Sequence, residues 1–135
     1  MAKITPIPTY FLGANLLNPK VLGDKVVEII TAITEKKTVT QTVAITAGVT
    51  INAQSGIITT VAATLAADTT TSFTVTNSKV FADSTIQLTA QYAGTALSQP
   101  SLAIASISNG SFVVKITNVG TAALNAVVKI NFNII

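Results

Sequence analysis

Hydrophobic and polar residues alternate with a period of two over most of the chain from Thr38 onward. The clearest segments are Ser84–Tyr92, Ser111–Thr117 and Val127–Ile134. Successive side chains of a strand point to opposite faces of its sheet, so this alternation predicts strands with one buried face and one face in water. The residues predicted to face the core are Ile86, Leu88, Ala90, Tyr92, Phe112, Val114, Ile116, Val128, Ile130, Phe132 and Ile134.

Short turn signals separate these segments. The strongest is Asn109-Gly110, between the predicted strands Leu102–Ile107 and Phe112–Thr117, because a two-residue hairpin turn with positive φ at both positions favours that dipeptide. Turns recur about every ten residues and leave room for roughly eight strands. The pattern therefore predicts an all-β fold, an antiparallel two-sheet β-sandwich over residues 38–135 of jelly-roll or immunoglobulin-like type, and leaves the strand order open.

The chain finishes on a strand with an apolar face and two isoleucines at its end. We expect this strand to lie against the core and to pair with the preceding strand, to which it is joined through "NVGTAAL". Ile135 has the opposite parity to the core-facing residues, so its large apolar side chain is predicted to face away from the core. A subunit contact at Ile135 is the resulting hypothesis.

Residues 1–18 are predicted to form an extended N-terminal arm, since Pro6 and Pro8 interrupt both a helix and a central strand. The arm is rich in apolar side chains, which can pack along their own domain or dock on a neighbouring subunit or partner. The candidate partner-contact residues are Ile4, Ile7, Tyr10, Phe11 and Leu12.

Residues 19–37 are predicted to form a short helix and linker. Asn18 followed by Pro19 suits the start of a helix, and apolar residues then recur at helical spacing. The β-branched run "VVEIITAIT" is also typical of a strand, and this alternative stays open. The residues at helical spacing are Leu22, Val26, Ile29 and Ile33.

Composition narrows the functional classes. Charged residues make up only 10% of the chain, against roughly 25% in a typical globular domain, and hydrophobic residues make up 49%. The net charge of +3 comes from scattered lysines without any arginine, which does not favour nucleic-acid binding. Cysteine is absent, and the N-terminus has no apolar run of signal-peptide length, so we expect a protein made in the cytoplasm that uses neither nucleic acid nor a membrane as its partner.

The inventory of reactive side chains is short. Without histidine or cysteine, the chain cannot make a Ser-His-Asp triad, a Cys-His pair or the usual zinc ligand sets. Phosphate-binding glycine loops and calcium-loop spacings are also missing. We therefore expect no enzyme activity, no catalytic residue, no cofactor and no metal. Acid–base chemistry would have to come from Asp24, Glu28, Glu35, Asp68 and Asp83. A solvated helix surface explains Asp24 and Glu28 better, and turn capping explains Asp68 and Asp83 better.

The segments Ile51–Gly94 and Ser101–Ile135, with the ending "GSFVVKITNVGTAALN" that leads into the last strand, resemble the small all-β virion proteins of tailed phages and other aquatic viruses. The resemblance covers about the last hundred residues, from Thr38, and leaves out the predicted arm and helix. It implies a virion structural protein such as a capsid decoration or cement protein, commonly a homotrimer, whose partner is the major capsid protein or another virion protein and whose location is the virion. The alternative is a fibre-type module that binds a receptor or glycan through loops such as Tyr92–Pro100.

Overall fold

The computed structural model describes residues 36–135 of the chain. Within them the fold is all-β, and the four segments predicted as strands from Ser84 onward are strands. The predicted arm over residues 1–18 and residues 19–35 of the predicted helix and linker lie outside the described residues, whereas Lys36 and Lys37, the last two linker residues, belong to the first strand. The eight strands are β1 Lys36–Thr40, β2 Val49–Thr50, β3 Ser55–Thr59, β4 Thr70–Thr76, β5 Ile86–Tyr92, β6 Pro100–Ser108, β7 Ser111–Asn118 and β8 Val128–Ile134.

The strands form two four-stranded sheets, in the orders β1-β3-β8-β5 and β2-β4-β7-β6, and the predicted two-sheet sandwich is confirmed. Four of the pairings are antiparallel, whereas β1–β3 and β2–β4 are parallel. The chain leaves the first sheet after β1, contributes β2 to the other sheet, and returns as β3 in the direction of β1. Each sheet thus contains one parallel and two antiparallel pairings. The parallel pairs β1–β3 and β2–β4 arise because the chain crosses to the other sheet between the two strands instead of turning back in a hairpin.

The core lies between the two sheets, and the predicted core faces of β7 and β8 are confirmed. Val114 and Ile130 are completely buried, and the rings of Phe112 and Phe132 meet across the two layers with centroids 5.9 Å apart. Each buried side chain of this size contributes roughly 1.5–3 kcal/mol by leaving water. The outward residues of the same strands are mostly threonine, serine, asparagine and lysine.

The predicted partner of the last strand is wrong. β8 lies between β3 and β5 in one sheet, whereas the preceding strand β7 lies between β4 and β6 in the other. The connection of residues 119–127 therefore crosses between layers. The short spacing between β7 and β8 is compatible with a hairpin, but the buried faces of the two strands meet across the core instead.

The predicted hairpin at Asn109-Gly110 is confirmed, with Ser108 paired to Ser111, but its predicted turn type is wrong. Gly110 has φ 83°, while Asn109 is not among the residues with positive φ. These signs are those of a type II turn. The turn also packs on a neighbouring loop: the Gly110 N–H donates to the Val80 carbonyl (2.8 Å), and the Gly110 carbonyl accepts from the Asn77 N–H (2.8 Å).

Candidate interaction surfaces

The strand register gives the sandwich two ends. At the first, here called the proximal end, β1 begins at Lys36 beside Ser55, which pairs in turn with Asn133 near the end of β8. At the second, the distal end, β5 finishes opposite the start of β8, and the connections 60–69, 93–99 and 119–127 lie together. The chain thus enters the described domain and reaches Ile135 at the same end.

Ile135 is fixed at the proximal end by its backbone. It exchanges two hydrogen bonds with Thr85, 2.8 and 3.2 Å long, which extend the β5–β8 ladder by one residue pair. Its side chain is nevertheless 66% exposed, whereas that of the preceding Ile134 is buried. The backbone is therefore ordered by the sheet while an apolar side chain is left in water.

A second apolar side chain is exposed at the proximal end. Phe81 is 60% exposed and belongs to the loop that leads into Thr85. The loop is held in shape by Ser84, whose hydroxyl accepts from the Phe81 N–H (3.0 Å) and whose N–H donates to the Phe81 carbonyl (3.0 Å). Phe81 was not among the sequence candidates, because an aromatic residue in a loop carries no signal that separates exposure from burial.

The other predicted contact residues cannot be placed on this surface. Ile4, Ile7, Tyr10, Phe11 and Leu12 lie outside the described residues. Of the predicted site residues, Ile135 is the one that residues 36–135 include, and its exposure agrees with the parity argument.

The distal end is organised by one buried amide. Asn118 is fully buried, and its Nδ2 donates to the carbonyls of Leu65 (3.0 Å) and Ala122 (2.8 Å). Its Oδ1 accepts from the N–H groups of Gln99 (3.2 Å) and Gly120 (3.0 Å). Both donors and both acceptor positions of the amide are used, so one side chain joins all three distal connections.

A hydroxyl network next to it joins two of the same loops. The Tyr92 hydroxyl donates to Oδ1 of Asn125 (2.9 Å), accepts from the Asn125 N–H (2.9 Å), and lies 2.9 Å from Oγ of Ser98. Gly94 sits so close to this hydroxyl that any Cβ would collide with it. The network lines a shallow depression of about 370 Å³. Because its polar groups already bond to one another, we interpret it as a brace for the loops, not as a preformed ligand site.

The braced loops carry exposed apolar side chains. Leu97 is 65% and Val119 is 52% exposed, and the two loops are held side by side by the bond from the Val119 N–H to the Gln99 carbonyl (2.9 Å). Asp68 is the charged residue of the connections 60–69, 93–99 and 119–127. The distal end therefore presents a nearly uncharged surface of small and apolar residues.

One outer face of the sandwich has a different chemistry. A shallow groove of about 220 Å³ runs over β5, β8 and the start of β1, and the Lys36 Nζ donates to Oδ1 of Asn131 within it (3.2 Å). Amides both donate and accept hydrogen bonds, as sugar hydroxyls do. The polar residues of the groove are Lys36, Ser55, Gln87, Thr89, Asn131 and Asn133.

The two described carboxylates are not brought together. Asp68 lies at the distal end, where its N–H donates to the Asn118 carbonyl (2.9 Å), and Asp83 lies at the proximal end, two residues before Thr85. Over residues 36–135 there is no group of three acidic, histidine or cysteine side chains that could hold a metal ion. Nor does this part of the chain form a helix that could cross a membrane. Because Asp68 and Asp83 lie at opposite ends of the sandwich, their carboxylates cannot act as a catalytic pair.

Comparison of the chain with protein-family models, with curated proteins and with solved structures finds no match.

Proposed function

We propose that the protein is a virion structural protein that decorates the capsid by binding the major capsid protein. The observation that carries the proposal is the proximal end, where β1 begins at Lys36 and where Phe81 and Ile135 expose apolar side chains. Both ends expose apolar side chains, Leu97 and Val119 at the distal end, but only the proximal end combines them with the attachment of residues 1–35. The resemblance over residues 38–135 points to the same class of protein.

In this proposal the apolar residues of the N-terminal arm contact the shell, and the sandwich stands on it as a low-charge, closely packed domain. Each contact is weak, but many copies on one lattice, or several arms in one oligomer, raise the overall affinity strongly. The partners are the major capsid protein and further copies of the chain, for which the resemblance favours a trimer. No cofactor, catalytic residue or nucleic acid enters the proposal. The contact residues are Ile4, Ile7, Tyr10, Phe11 and Leu12.

The test is co-sedimentation with shells assembled from the major capsid protein. The full chain is compared with a variant that lacks residues 1–18 and with Leu97→Ser, which alters an exposed apolar residue at the distal end. We expect the full chain and Leu97→Ser to pellet with the shells, and the truncated chain to stay in the supernatant with an unchanged melting temperature. Equal binding by the truncated chain, or a full chain that ignores the shells, would refute the proposal.

A fibre-type module that binds a glycan is the second candidate, and the amide-lined groove at Lys36 and Asn131 is the observation that favours it. The loop Tyr92–Pro100 is less suitable, because Tyr92 and Ser98 bond within the brace. The two candidates separate on a glycan array. Binding that Asn131→Ala removes and that deletion of residues 1–18 leaves intact favours the fibre module.

A further inference from the structure

The outer strands of the two sheets differ in how they are protected against pairing with another chain. An edge strand exposes unpaired N–H and C=O groups, and proteins block such edges with charges, prolines, bulges or very short strands. β1 carries Lys36 and Lys37, and β2 is two residues long. β6 begins with Pro100 and has a register shift between Ile104 and Ser106. Three edges of the described sandwich therefore carry such a device.

Within residues 36–135, the fourth edge, β5, carries no charge, proline or bulge and is seven residues long, although residues 94–100 lie near its end at Ala90 and Tyr92. All seven residues, IQLTAQY, pair with β8. No strand among residues 36–135 continues the sheet beyond it. An edge of this length and composition is suited to adding another strand.

The hydrogen-bonding phase of β5 follows from the pair next to it. Thr85 and Ile135 form a hydrogen-bonded pair, since each N–H donates to the other residue's carbonyl. In an antiparallel ladder every second residue pair is of this kind. The backbone N–H and C=O groups of Gln87, Thr89 and Gln91 therefore point toward β8. The N–H and C=O groups that point away from β8, toward the open edge, belong to Ile86, Leu88, Ala90 and Tyr92.

We propose that β5 pairs with β5 of a second copy of this chain, antiparallel and about a two-fold axis at Thr89. In this register Ile86 lies opposite Tyr92 of the second copy and Leu88 lies opposite its Ala90. The outward backbone N–H and C=O groups of all four residues then find partners. The two-fold axis makes four hydrogen-bonded residue pairs with two bonds each, so the interface has about eight backbone hydrogen bonds. Two sheets of four strands become one continuous sheet.

The side chains suit this self-pairing. On the outer face Gln87 meets Gln91 and Thr89 meets Thr89, so no like charges oppose each other. On the inner face Leu88 comes next to the small, exposed Ala90, beside the depression of about 370 Å³ that Ala90 and Tyr92 help to line. The segment matches a reversed copy of itself, as a two-fold interface requires, and the contact closes after two copies. A trimer would have to use another surface, and the inference stands whether or not the protein binds a shell.

The test begins with the mass of the full chain by sedimentation equilibrium over a concentration series, compared with Thr89→Lys and Thr74→Lys. Both substitutions add one lysine at an exposed threonine on an outer sheet face, but only the first places two lysines together at the two-fold axis. We expect the copies to associate in pairs for the full chain and for Thr74→Lys, as a dimer, or as a hexamer if a three-fold contact on another surface also forms. For Thr89→Lys we expect at least ten-fold weaker pairing with an unchanged circular dichroism spectrum, which reports that the fold is retained. A monomeric full chain, or a dimer or trimer that Thr89→Lys leaves intact, would overturn the proposal.

Cross-linking provides a second measurement that does not depend on the stability of the lysine variant. The chain has no cysteine, so Thr89→Cys introduces a single thiol. A directly opposed, non-hydrogen-bonded pair has its Cα atoms about 4.5 Å apart, within the range that a disulfide spans. We expect rapid oxidation of Thr89→Cys to a covalent dimer and slow, concentration-limited oxidation of the control Thr74→Cys. Equal rates for the two variants would contradict the proposed register.

Discussion

Nδ2 of Asn118 donates to the carbonyl oxygen of Leu65 over 3.0 Å, and this bond joins the end of β7 to the connection between β3 and β4. The same amide also holds Gln99, Gly120 and Ala122, so the distal end closes around one buried side chain. Such a fully bonded polar group is costly to disturb, since each partner it loses stays buried without a replacement.

Asn118→Asp is therefore expected to destabilise the domain severely, by about 3 kcal/mol or more, because it removes two donors and places a carboxylate against two carbonyl oxygens. Urea unfolding measures the loss. The control is Asn52→Ala, which removes an exposed acceptor of one bond from the Ser78 N–H and should cost less than about 1 kcal/mol. Similar losses for the two variants would show that Asn118 is not the central brace.

Tyr92→Phe removes the hydroxyl that bonds to Asn125 and is expected to cost about 1–2 kcal/mol. The effect should be local, with faster hydrogen exchange at the Asn125 amide. The Val128 amide, which donates to Oγ1 of Thr60 (2.9 Å), provides the internal control and should keep its protection. If exchange at Asn125 does not change, the hydroxyl network does not hold the loop.

Alanine substitutions at two glycines distinguish the cost of backbone strain from the cost of a steric collision. Gly110 has φ 83° and open space around the position of a Cβ, so Gly110→Ala should cost only about 1 kcal/mol from the positive φ. At Gly56 a Cβ would come within 2.8 Å of the Lys37 carbonyl oxygen and the Phe132 ring, so Gly56→Ala should cost clearly more, or prevent folding. Melting temperatures of the two variants measured together check this order, and the reverse order would contradict it.

The last residues of the chain complete strand β8 and also expose an apolar side chain, and two variants test these contributions separately. Deletion of Asn133–Ile135 removes the buried Ile134 and the ladder next to Gln87, and it should unfold the domain or lower its melting temperature by ten degrees or more. Ile135→Ser keeps the backbone bonds to Thr85 and alters only an exposed side chain, so the melting temperature should stay the same.

If Ile135 is also a subunit contact, Ile135→Ser should weaken self-association in sedimentation experiments while the fold is retained. The control is Thr59→Ser, a conservative change on the outer face of β3 at the distal end of the domain. If Ile135→Ser associates as strongly as the full chain, Ile135 is not a subunit contact and serves only to extend the β5–β8 ladder.

Local alternation predicted the four strands β5 to β8 and the buried faces of β7 and β8, whereas Ala90 of β5, predicted to face the core, is exposed at the edge of its sheet. In β8, for example, the parity of Ile130 and Phe132 determines which side chains are buried. The neighbours of β8 were not predictable in the same way, since pairing with β3 and β5 instead of β7 depends on how long connections close across the layers. The braces at Asn118 and Tyr92 were missed for a related reason: their partners are up to 53 residues away, and a single asparagine in a loop carries no pattern.

The parallel pairing of β1 with β3 has a mechanical consequence. Lys36 is the first residue of β1 and lies at the proximal end, so a force on it that is directed along the strand axis and resisted at the distal end loads the whole length of β1. Such a load shears β1 against β3, and all five residue pairs between the two strands bear it together instead of opening one after another. When the load has this direction, the five residue pairs between β1 and β3 resist it at the point where the N-terminal segment joins the domain.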